Sequence, residues 1–447
     1  MSAAGLGSER IRLLSICLLA LTFNFGYVVG MEPWLAVESD AAAYDQGGWD
    51  LARGFGFPTR GLQPKREPGI YAFFGSIYFL FGHDHSVVRV IQALLTASLP
   101  LLTFILSRRL ASVGALPRQA PLVAAALAAV YPPFLFYSGV LMREASITFL
   151  ALVSLVCLTG HATTGRLSQA AWYGAFAGLG ALVDGRFLFF APFVSVVFLV
   201  SGRGLGRSLQ FGVLSTTVAL AVISPWTIRN YIVLDKFVLL STAQYKGLWL
   251  VTNPQGIEEW DWEREPLRSL RDLPADQRDQ EISELAIQNL RDYPGRYIRS
   301  SLGRFVRLWW GGSHSDVMPL LKRPLLPALT TGDWGYSVVK LTLLGISYTY
   351  VFGGFLGALW VVSRAGFAPV AHLIAFPAYL SILHMILYSS PRYHIPAAPV
   401  LIVFFSGGLV HVVERLSLRR ALAKARERGR RDLRKALGDP AARESNL

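Results

Sequence analysis

The stretch IRLLSICLLALTFNFGYVVGM, from Ile11 to Met31, decides the fold class, and VESDAAAYDQGGWDLARGFGF, from Val37 to Phe57, follows it closely. The first stretch is long enough to cross a bilayer as a helix, which takes about 20 apolar residues. No small-residue cleavage site follows it, so we expect a retained transmembrane helix and not a signal peptide. The second stretch then places acids and aromatic residues directly beside the membrane surface.

The composition indicates a chain embedded in lipid. Of its 447 residues, 53% are hydrophobic and 16% are charged, whereas a soluble domain averages about 25% charged residues. The net charge is +14, but many arginines flank apolar runs, which favours contact with lipid phosphate over nucleic-acid binding. The two cysteines, Cys17 and Cys157, lie inside apolar runs, where we expect them to serve as packing residues.

Apolar runs along the chain predict an all-α polytopic membrane protein with about ten transmembrane helices. The runs lie near 11–31, 86–107, 120–138, 142–160, 170–184, 186–201, 209–229, 336–362, 367–389 and 394–414. The basic segments SRRLASVGALPRQ, TTGR, SGRGLGR and SRAG then share one side with both termini. The positive-inside rule makes that side cytoplasmic.

Two long connections, 32–85 and 230–335, are thereby predicted outside the cytoplasm. Each holds a candidate interfacial helix: the aromatic segment Ile70 to Gly82, and the basic, aromatic segment GRYIRSSLGRFVRLWW. EISELAIQNLRDYP predicts a further helix that ends at Pro294. We predict one domain, 1–415, and a basic cytoplasmic tail, 416–447, which is either a helix lying on anionic lipid or a solvated charged helix.

The carboxylates after the first span are candidates for proton transfer. Asp40, Tyr44, Asp45 and Asp50 lie just beyond the first helix, where an acid could act as a general base on a hydroxyl. A hydrated loop acid is the alternative for any one of them. An acid followed by cations and an aromatic helix favours attack on a lipid-linked phosphate, because the cations neutralise the leaving group.

Cations and acids at other outer helix ends could complete an anion pocket. Arg143 and Glu144 could reach the same site or serve the structure alone. Asp184 and Arg186 interrupt an apolar run, as residues that line a cavity do. The predicted phosphate-binding residues are Lys65, Arg66, Arg186, Arg229 and Arg392, with Tyr393 and His394 beside the last of them. Separate contacts of these arginines with lipid headgroups are the alternative.

The signals for a metal or a cofactor are weak. His83, Asp84 and His85 could offer ligands, but one segment cannot aim three consecutive side chains at one ion. We therefore predict a turn there and no metal. No phosphate-binding loop or dinucleotide fingerprint occurs in the sequence, so no nucleotide cofactor is expected.

The order of several motifs resembles that of the bacterial GT-C glycosyltransferases. The motifs are SD-x3-Y, LARGFGF, R-x-PG with YFLFG, VVRVIQALL, YPPFLFYSGVLMREA, PWTIRNYIVLDKFVLLS and RYHIPAAPVL. These polytopic enzymes are related to protein O-mannosyltransferases, lipid A aminoarabinose transferases and rhizobial galacturonosyltransferases. The resemblance covers most of residues 1–415 and implies the GT-C fold.

The resemblance also implies functional residues. The loop acid of the family falls on Asp40, with Tyr44 at the matching spacing, and the acid after the second outward span falls on Glu144. The arginines of the family motifs fall on Arg66, Arg229 and Arg392. Several relatives have an Asp-Glu pair in the first loop, whereas Ala41 follows the acid here.

Together these observations predict an inverting glycosyltransferase with Asp40 as the base. The expected donor is a polyprenyl-phosphate sugar, and the expected acceptor is a hydroxyl of a lipid, a glycan or a protein at the outer membrane face. The alternatives are a secondary transporter, which would place its charges in broken helices near the bilayer midplane, and a non-catalytic protein of envelope assembly.

Overall fold

The structure is a computed structural model. It describes residues 3–31, 35, 37–60, 63–64, 66–235, 237–241, 244–256, 261, 263–310 and 325–436. The end of the predicted tail, 437–447, lies outside the described residues.

The first part of the chain pairs two membrane helices with two shorter helices between them. Its elements are α1 (Ala3–Met31), α2 (Asp40–Ala52), β1 (Thr59–Arg60), β2 (Gln63–Pro64), α3 (Gly69–Phe81) and α4 (His85–Ser112). The two strands form a small antiparallel hairpin. The Asp84 carboxylate caps α4 by accepting a hydrogen bond from the Ser86 backbone N–H at 2.8 Å.

The middle part is a run of apolar helices with short connections. It comprises α5 (Ala120–Ala129), α6 (Pro132–Gly139), α7 (Glu144–Thr164), α8 (Leu167–Val183), a 3₁₀ turn (Gly185–Phe187), α9 (Phe190–Val200) and α10 (Leu205–Leu234). Pro132 and Pro133 separate α5 from α6, and the two helices meet at a bend of 42° because proline cannot continue the preceding helix.

The second long connection is helical where it is described. It contains α11 (Gln244–Thr252), α12 (Leu267–Leu270), α13 (Ala275–Asp292), α14 (Pro294–Trp310) and α15 (Leu325–Thr330). Ile298, Leu302 and Val306 are exposed at intervals of four residues along α14, which gives this helix one apolar face. Both predicted segments, the helix ending before Pro294 and the basic aromatic helix after it, are confirmed as helices.

The chain ends in three membrane helices, two of which pack closely. These are α16 (Trp334–Ala365), α17 (Ala371–Ile386) and, after a 3₁₀ turn (Pro391–Ala397), α18 (Ala398–Ala436). Gly357 of α16 faces the backbone of α18, where an added Cβ would lie 2.9 Å from the Phe405 nitrogen. Small residues allow such close backbone approach between helices in a membrane.

The predicted all-α polytopic membrane fold is confirmed. Six helices of the described chain are long and apolar enough to cross a membrane, and the bent pair α5–α6 makes a seventh. The other three predicted spans are helices too, but α8, α9 and α17 have 17, 11 and 16 residues, short of the 20 or so that cross a bilayer unaided. The interfacial segment Ile70 to Gly82 forms α3, also too short to span.

Candidate active site

Asp40, the first residue of α2, joins two arginines that are far apart in the sequence. Its Oδ1 accepts a hydrogen bond from Arg66 Nη2 at 2.7 Å, and its Oδ2 accepts one from Arg392 Nη2 at 2.6 Å. Each carboxylate oxygen therefore has its own guanidinium, and such charge-assisted hydrogen bonds are among the stronger polar contacts in proteins. These two hydrogen bonds link α2 to the segment before α3 and to the turn before α18.

Arg66 is positioned by the tight packing of the segment that follows it. A Cβ added to Gly69 would lie 2.7 Å from the Leu182 carbonyl oxygen, so only glycine lets the start of α3 approach the end of α8 this closely. The Arg66 guanidinium lies over the Tyr44 ring, 5.0 Å from its centroid. This cation–π contact and the ion pair to Asp40 hold the guanidinium from two sides.

Arg392 is positioned by a buried acid. Its Nε lies 3.5 Å from Oε1 of Glu144, whose side chain is 2% exposed. Among the described residues, neither carboxylate oxygen of Glu144 accepts a hydrogen bond. The charge of Glu144 at the start of α7 is therefore compensated by Arg392 alone within 4 Å, which keeps the guanidinium pointing toward α2 and α7.

A second group of ion pairs continues from the same place. Arg143 lies 3.7 Å from Glu67 and 3.5 Å from Asp184, and Asp184 also accepts hydrogen bonds from Arg186, at 2.8 and 2.9 Å from its Nε. Asp184 is 2% exposed, and a buried carboxylate needs such compensation. Together with Asp40, Glu144, Arg66 and Arg392, these residues form the charge network.

The Tyr393 ring connects the two halves of the charge network. The Arg186 guanidinium lies 3.9 Å from the centroid of this ring, and that of Arg392 lies 5.6 Å from it. His384 stacks on the same ring at 5.0 Å, and its Nε2 lies 3.3 Å from Arg186 Nη1. An aromatic face between two guanidinium groups offsets part of their mutual repulsion.

The electrostatic state of Asp40 follows from its partners. Burial by itself raises the pKa of the Asp40 carboxyl, but the charges of Arg66 and Arg392 and their hydrogen bonds outweigh it. The pKa is therefore held well below its usual range, and Asp40 is an anion at neutral pH. While both arginines are bound to it, this carboxylate is a weak base.

The four acids of the network differ in exposure. The Asp40 side chain is 30% exposed and that of Glu67 is 18% exposed, whereas Glu144 and Asp184 are each 2% exposed. Asp40 is therefore the acid of the network that solvent reaches most easily, and the two buried acids contact arginines inside the protein.

The structure brings together most of the residues selected from the sequence. Those in or against the charge network are Asp40, Tyr44, Arg66, Glu144, Arg186, Arg392 and Tyr393. Arg229 lies elsewhere: it donates to Asn230 at 3.1 Å and stacks on Trp226. His394 is buried beside Trp309, with its Nδ1 3.0 Å from the Leu308 carbonyl oxygen. Lys65 lies outside the described residues.

Sequence reasoning missed Glu67 and His384. Glu67 directly follows Arg66, and its pairing with Arg143 gives the network its second centre. Glu67 could have been selected from the sequence because it is an acid inside the R-x-PG motif. Membrane proteins rarely leave an acid without a compensating charge. His384 gave no such signal, because it lies in an apolar run without a charged neighbour.

Comparisons with known proteins agree with this architecture. The sequence profile of a family described as dolichyl-phosphate-mannose-protein mannosyltransferase matches residues 64–228, which is less than half of the chain. The matched region contains Arg66, Glu144 and Arg186 but neither Asp40 nor Arg392. A search of curated protein sequences gives no match.

Solved structures with a similar fold include those of an archaeal oligosaccharyltransferase. The oligosaccharyltransferase AglB of Archaeoglobus fulgidus, in complex with an inhibitory peptide and a dolichol-phosphate, matches with a TM-score of 0.54 and 16% identity, over 93% of this chain and 52% of that one. The same enzyme tethered to an acceptor peptide gives 0.54 and 17% identity, over 92% and 50%. ArnT from Cupriavidus metallidurans bound to undecaprenyl phosphate gives 0.45 and 13%, over 91% and 78%.

The chain is thus similar in fold to the archaeal oligosaccharyltransferase, and its residues 64–228 match the mannosyltransferase family. The resemblance predicted from the sequence motifs is thereby confirmed, and the protein is an integral, multi-pass membrane protein. The chain spans about half the length of the archaeal oligosaccharyltransferase that it matches.

Proposed function

We propose that this protein transfers a sugar from a polyprenyl-phosphate donor to an acceptor hydroxyl, with inversion, at the outer face of a bacterial inner membrane. The observation that carries the proposal is the pairing of one accessible carboxylate, Asp40, with two arginines from distant segments. The matched family is described as acting with dolichyl-phosphate mannose, and the archaeal neighbour holds a dolichol-phosphate. Both descriptions support a lipid-linked phosphate donor.

The charge network explains how the donor would activate the base. Four arginines (Arg66, Arg143, Arg186, Arg392) face four acids (Asp40, Glu67, Glu144, Asp184) within the described residues. Because these charges balance, a donor phosphate must compete with an acid for its arginines. The accessible acid is Asp40, so the phosphate takes Arg66 and Arg392 from it. Losing these partners raises the pKa of Asp40 and makes it a better base.

The reaction is a single displacement. The acceptor oxygen attacks the anomeric carbon while the bond between that carbon and the phosphate oxygen breaks, and the bonding electrons leave with the phosphate. Asp40 takes the proton of the acceptor hydroxyl. The departing polyprenyl phosphate carries more negative charge than the donor, so Arg66 and Arg392 bind it more strongly as the bond breaks. Such strengthening lowers the barrier.

Roles for the remaining predicted residues follow from their positions. The Tyr393 ring contacts the guanidinium groups of both Arg186 and Arg392, and Glu144 lies 3.5 Å from Arg392, so these residues position Arg392. We place the basic C-terminal tail and the N-terminus in the cytoplasm and the charge network at the opposite face. The chain 1–415 is proposed as the transferase domain and 416–447 as the tail.

The proposal is tested by lipid analysis in cells that lack the gene. We expect a polyprenyl-phosphate sugar to accumulate in these cells, as detected by mass spectrometry of extracted lipids. Expression of the wild-type gene should abolish the accumulation. Asp40→Asn should fail to complement, because loss of a general base lowers the rate by about 10²–10⁴-fold.

The matched control is Asp50→Asn, because Asp50 lies on the same helix and its carboxylate makes exposed contacts with Gln46 at 2.8 Å and with Arg53 at 2.6 Å, outside the charge network. This variant should complement fully. Arg392→Lys keeps the charge but loses the planar fork that binds phosphate at two points, and it should complement poorly. If Asp40→Asn restored normal lipid levels at equal protein abundance, Asp40 would have no part in the chemistry.

A further inference from the structure

A second polar cluster lies on the other side of α2. Asp45 Oδ1 is 2.9 Å from His83 Nε2 and 3.1 Å from His85 Nε2, and the Tyr78 hydroxyl donates to the same oxygen at 2.5 Å. Asp45 follows Asp40 by five residues, which is about 7.5 Å along the helix axis and about 140° around it. The cluster is therefore separate from the charge network.

Local geometry explains how two histidines from one short turn point at the same place. Gly82 ends α3 with a φ of +80°, and the next acid, Asp84, turns away to cap α4. His83 and His85, which flank this acid, are left on the side that faces α2. Three consecutive side chains cannot point at one ion, and Asp84 indeed points away from the two histidines. The third group beside the histidines is Asp45 of α2.

The neighbours of the cluster fix it in this arrangement. The His83 ring stacks on Trp49 with centroids 4.8 Å apart and planes 6° apart, and it makes edge-on contacts with Tyr78 at 4.8 Å and with His85 at 5.1 Å. The Asp45 side chain is 12% exposed, whereas His83 and His85 are 32% and 34% exposed. The carboxylate is thus largely buried, and the two imidazoles beside it are accessible to solvent.

We propose that Asp45, His83 and His85 bind a divalent transition-metal cation of the zinc class, with water at a fourth position. The three ligand atoms lie within 4.8 Å of one another. A tetrahedral zinc site with bonds of about 2.0–2.1 Å separates its ligands by about 3.3 Å. The distances of 2.9 and 3.1 Å from Asp45 to the two imidazoles are about 0.4 and 0.2 Å shorter than this separation.

The donor set selects the class of metal. Imidazole nitrogen suits zinc, copper, nickel and iron, whereas magnesium and calcium prefer oxygen ligands. Two histidines and one carboxylate are a known zinc ligand set that leaves one position open. The Tyr78 hydroxyl, which contacts the ligating oxygen of Asp45, would orient the carboxylate as outer partners of metal ligands do.

The metal would join two parts of the chain. Asp45 belongs to α2, His83 lies in the connection between α3 and α4, and His85 is the first residue of α4, so the cation would fix α2 against the start of α4. The helix that carries Asp40 would thereby be anchored at a point away from the reacting groups. This role is structural and needs no glycosyl transfer to be measured.

The proposal is tested by metal binding to the full-length protein in detergent, purified through a tag without histidines and stripped with chelator. Calorimetric titration with zinc chloride should give one equivalent bound by the wild type. Cobalt should give the visible absorption bands of a tetrahedral site. His83→Gln, His85→Gln and Asp45→Asn should each abolish that binding while the protein remains monodisperse.

The matched control is His411→Gln, because His411 is a half-buried histidine on α18 that packs on Trp360. This variant should bind zinc as the wild type does. The proposal is overturned if the wild type binds no zinc, or if the three cluster variants bind it as well as the control. Since metal content is measured without substrate, its outcome is independent of the proposed transferase activity.

Discussion

A single carboxylate, Asp40, holds together segments that lie 26 and 352 residues away in the sequence. Its two arginines have different supports: Arg66 rests on the Tyr44 ring, and Arg392 rests on the buried Glu144. The positions of both guanidinium groups are therefore fixed by the protein itself, and the proposed function uses them as a pre-positioned phosphate site. Pre-positioned charges are effective in catalysis because they need no rearrangement when charge develops.

The pH dependence of stability tests the ion pairs of Asp40. A carboxyl whose folded pKa is depressed stabilises the protein above its unfolded pKa of about 3.9 and loses this contribution as the pH falls toward the folded pKa. We expect Asp40→Asn to lower the melting temperature by a constant amount between about pH 5 and 8, and by less below about pH 4. Thermal unfolding in detergent over a pH series measures this difference.

If the wild type and Asp40→Asn had the same melting temperature already near neutral pH, the pKa of Asp40 would be raised in the folded protein and not lowered. Asp50→Asn serves as the control in the same series, because its exposed pair with Arg53 should contribute little at any pH.

Sequence reasoning located individual site residues better than it located their partners. Asp40, Arg66 and Arg392 could be selected because each stands in a short motif at the end of an apolar run. The pairing of Arg143 with Glu67 and Asp184 could not, since it depends on how three separate helix ends meet. The Asp45 cluster was missed for the same reason, because its acid and its histidines lie on different helices.

At the scale of elements, the apolar runs predicted which segments form helices better than they predicted which helices are long enough to cross the membrane. Runs such as α1 and α4 exceed the thickness of a bilayer, so their fold follows from the sequence alone. The length of α17 did not follow from the run 367–389, because the whole run is apolar although the helix has only 16 residues. The short runs 170–184 and 186–201 did predict the break between α8 and α9, because charged residues interrupt the apolar sequence there. Asp184, for example, ends α8 at the charge network.

Close packing between α16 and α18 gives a prediction for an element. Gly357→Val would push its side chain into the α18 backbone beside Phe404 and Phe405. We expect a loss of about 1–3 kcal/mol of stability from overpacking, visible as a lower melting temperature and a smaller monodisperse peak in size-exclusion chromatography.

The control for this variant is Gly345→Val on the same helix, where an added Cβ meets nothing within 4 Å. Because both variants replace glycine by valine inside α16, their intrinsic helix preferences change alike. Equal melting temperatures for the two variants would show that the contact between α16 and α18 contributes nothing.

At the scale of the whole molecule, the proposed orientation places the charge network outside and the basic end of α18 inside. Labelling with a membrane-impermeant maleimide tests it in a background without Cys17 and Cys157. Gln46→Cys on α2 should react in intact cells after removal of any outer barrier, whereas Ser417→Cys on α18 should react only after lysis. Both positions are exposed in the structure. The reverse pattern would place the network in the cytoplasm.

The length of α18 has a consequence for the reacting groups. Its 39 residues extend for about 58 Å at 1.5 Å per residue, almost twice the hydrocarbon thickness of about 30 Å. Arg392 lies in the 3₁₀ turn directly before this helix, so a change in the tilt of α18 moves the Arg392 guanidinium toward or away from Asp40. Because helices with long hydrophobic stretches tilt to match the bilayer around them, we expect the lipid thickness of the host membrane to change the distance between the Asp40 carboxylate and the Arg392 guanidinium.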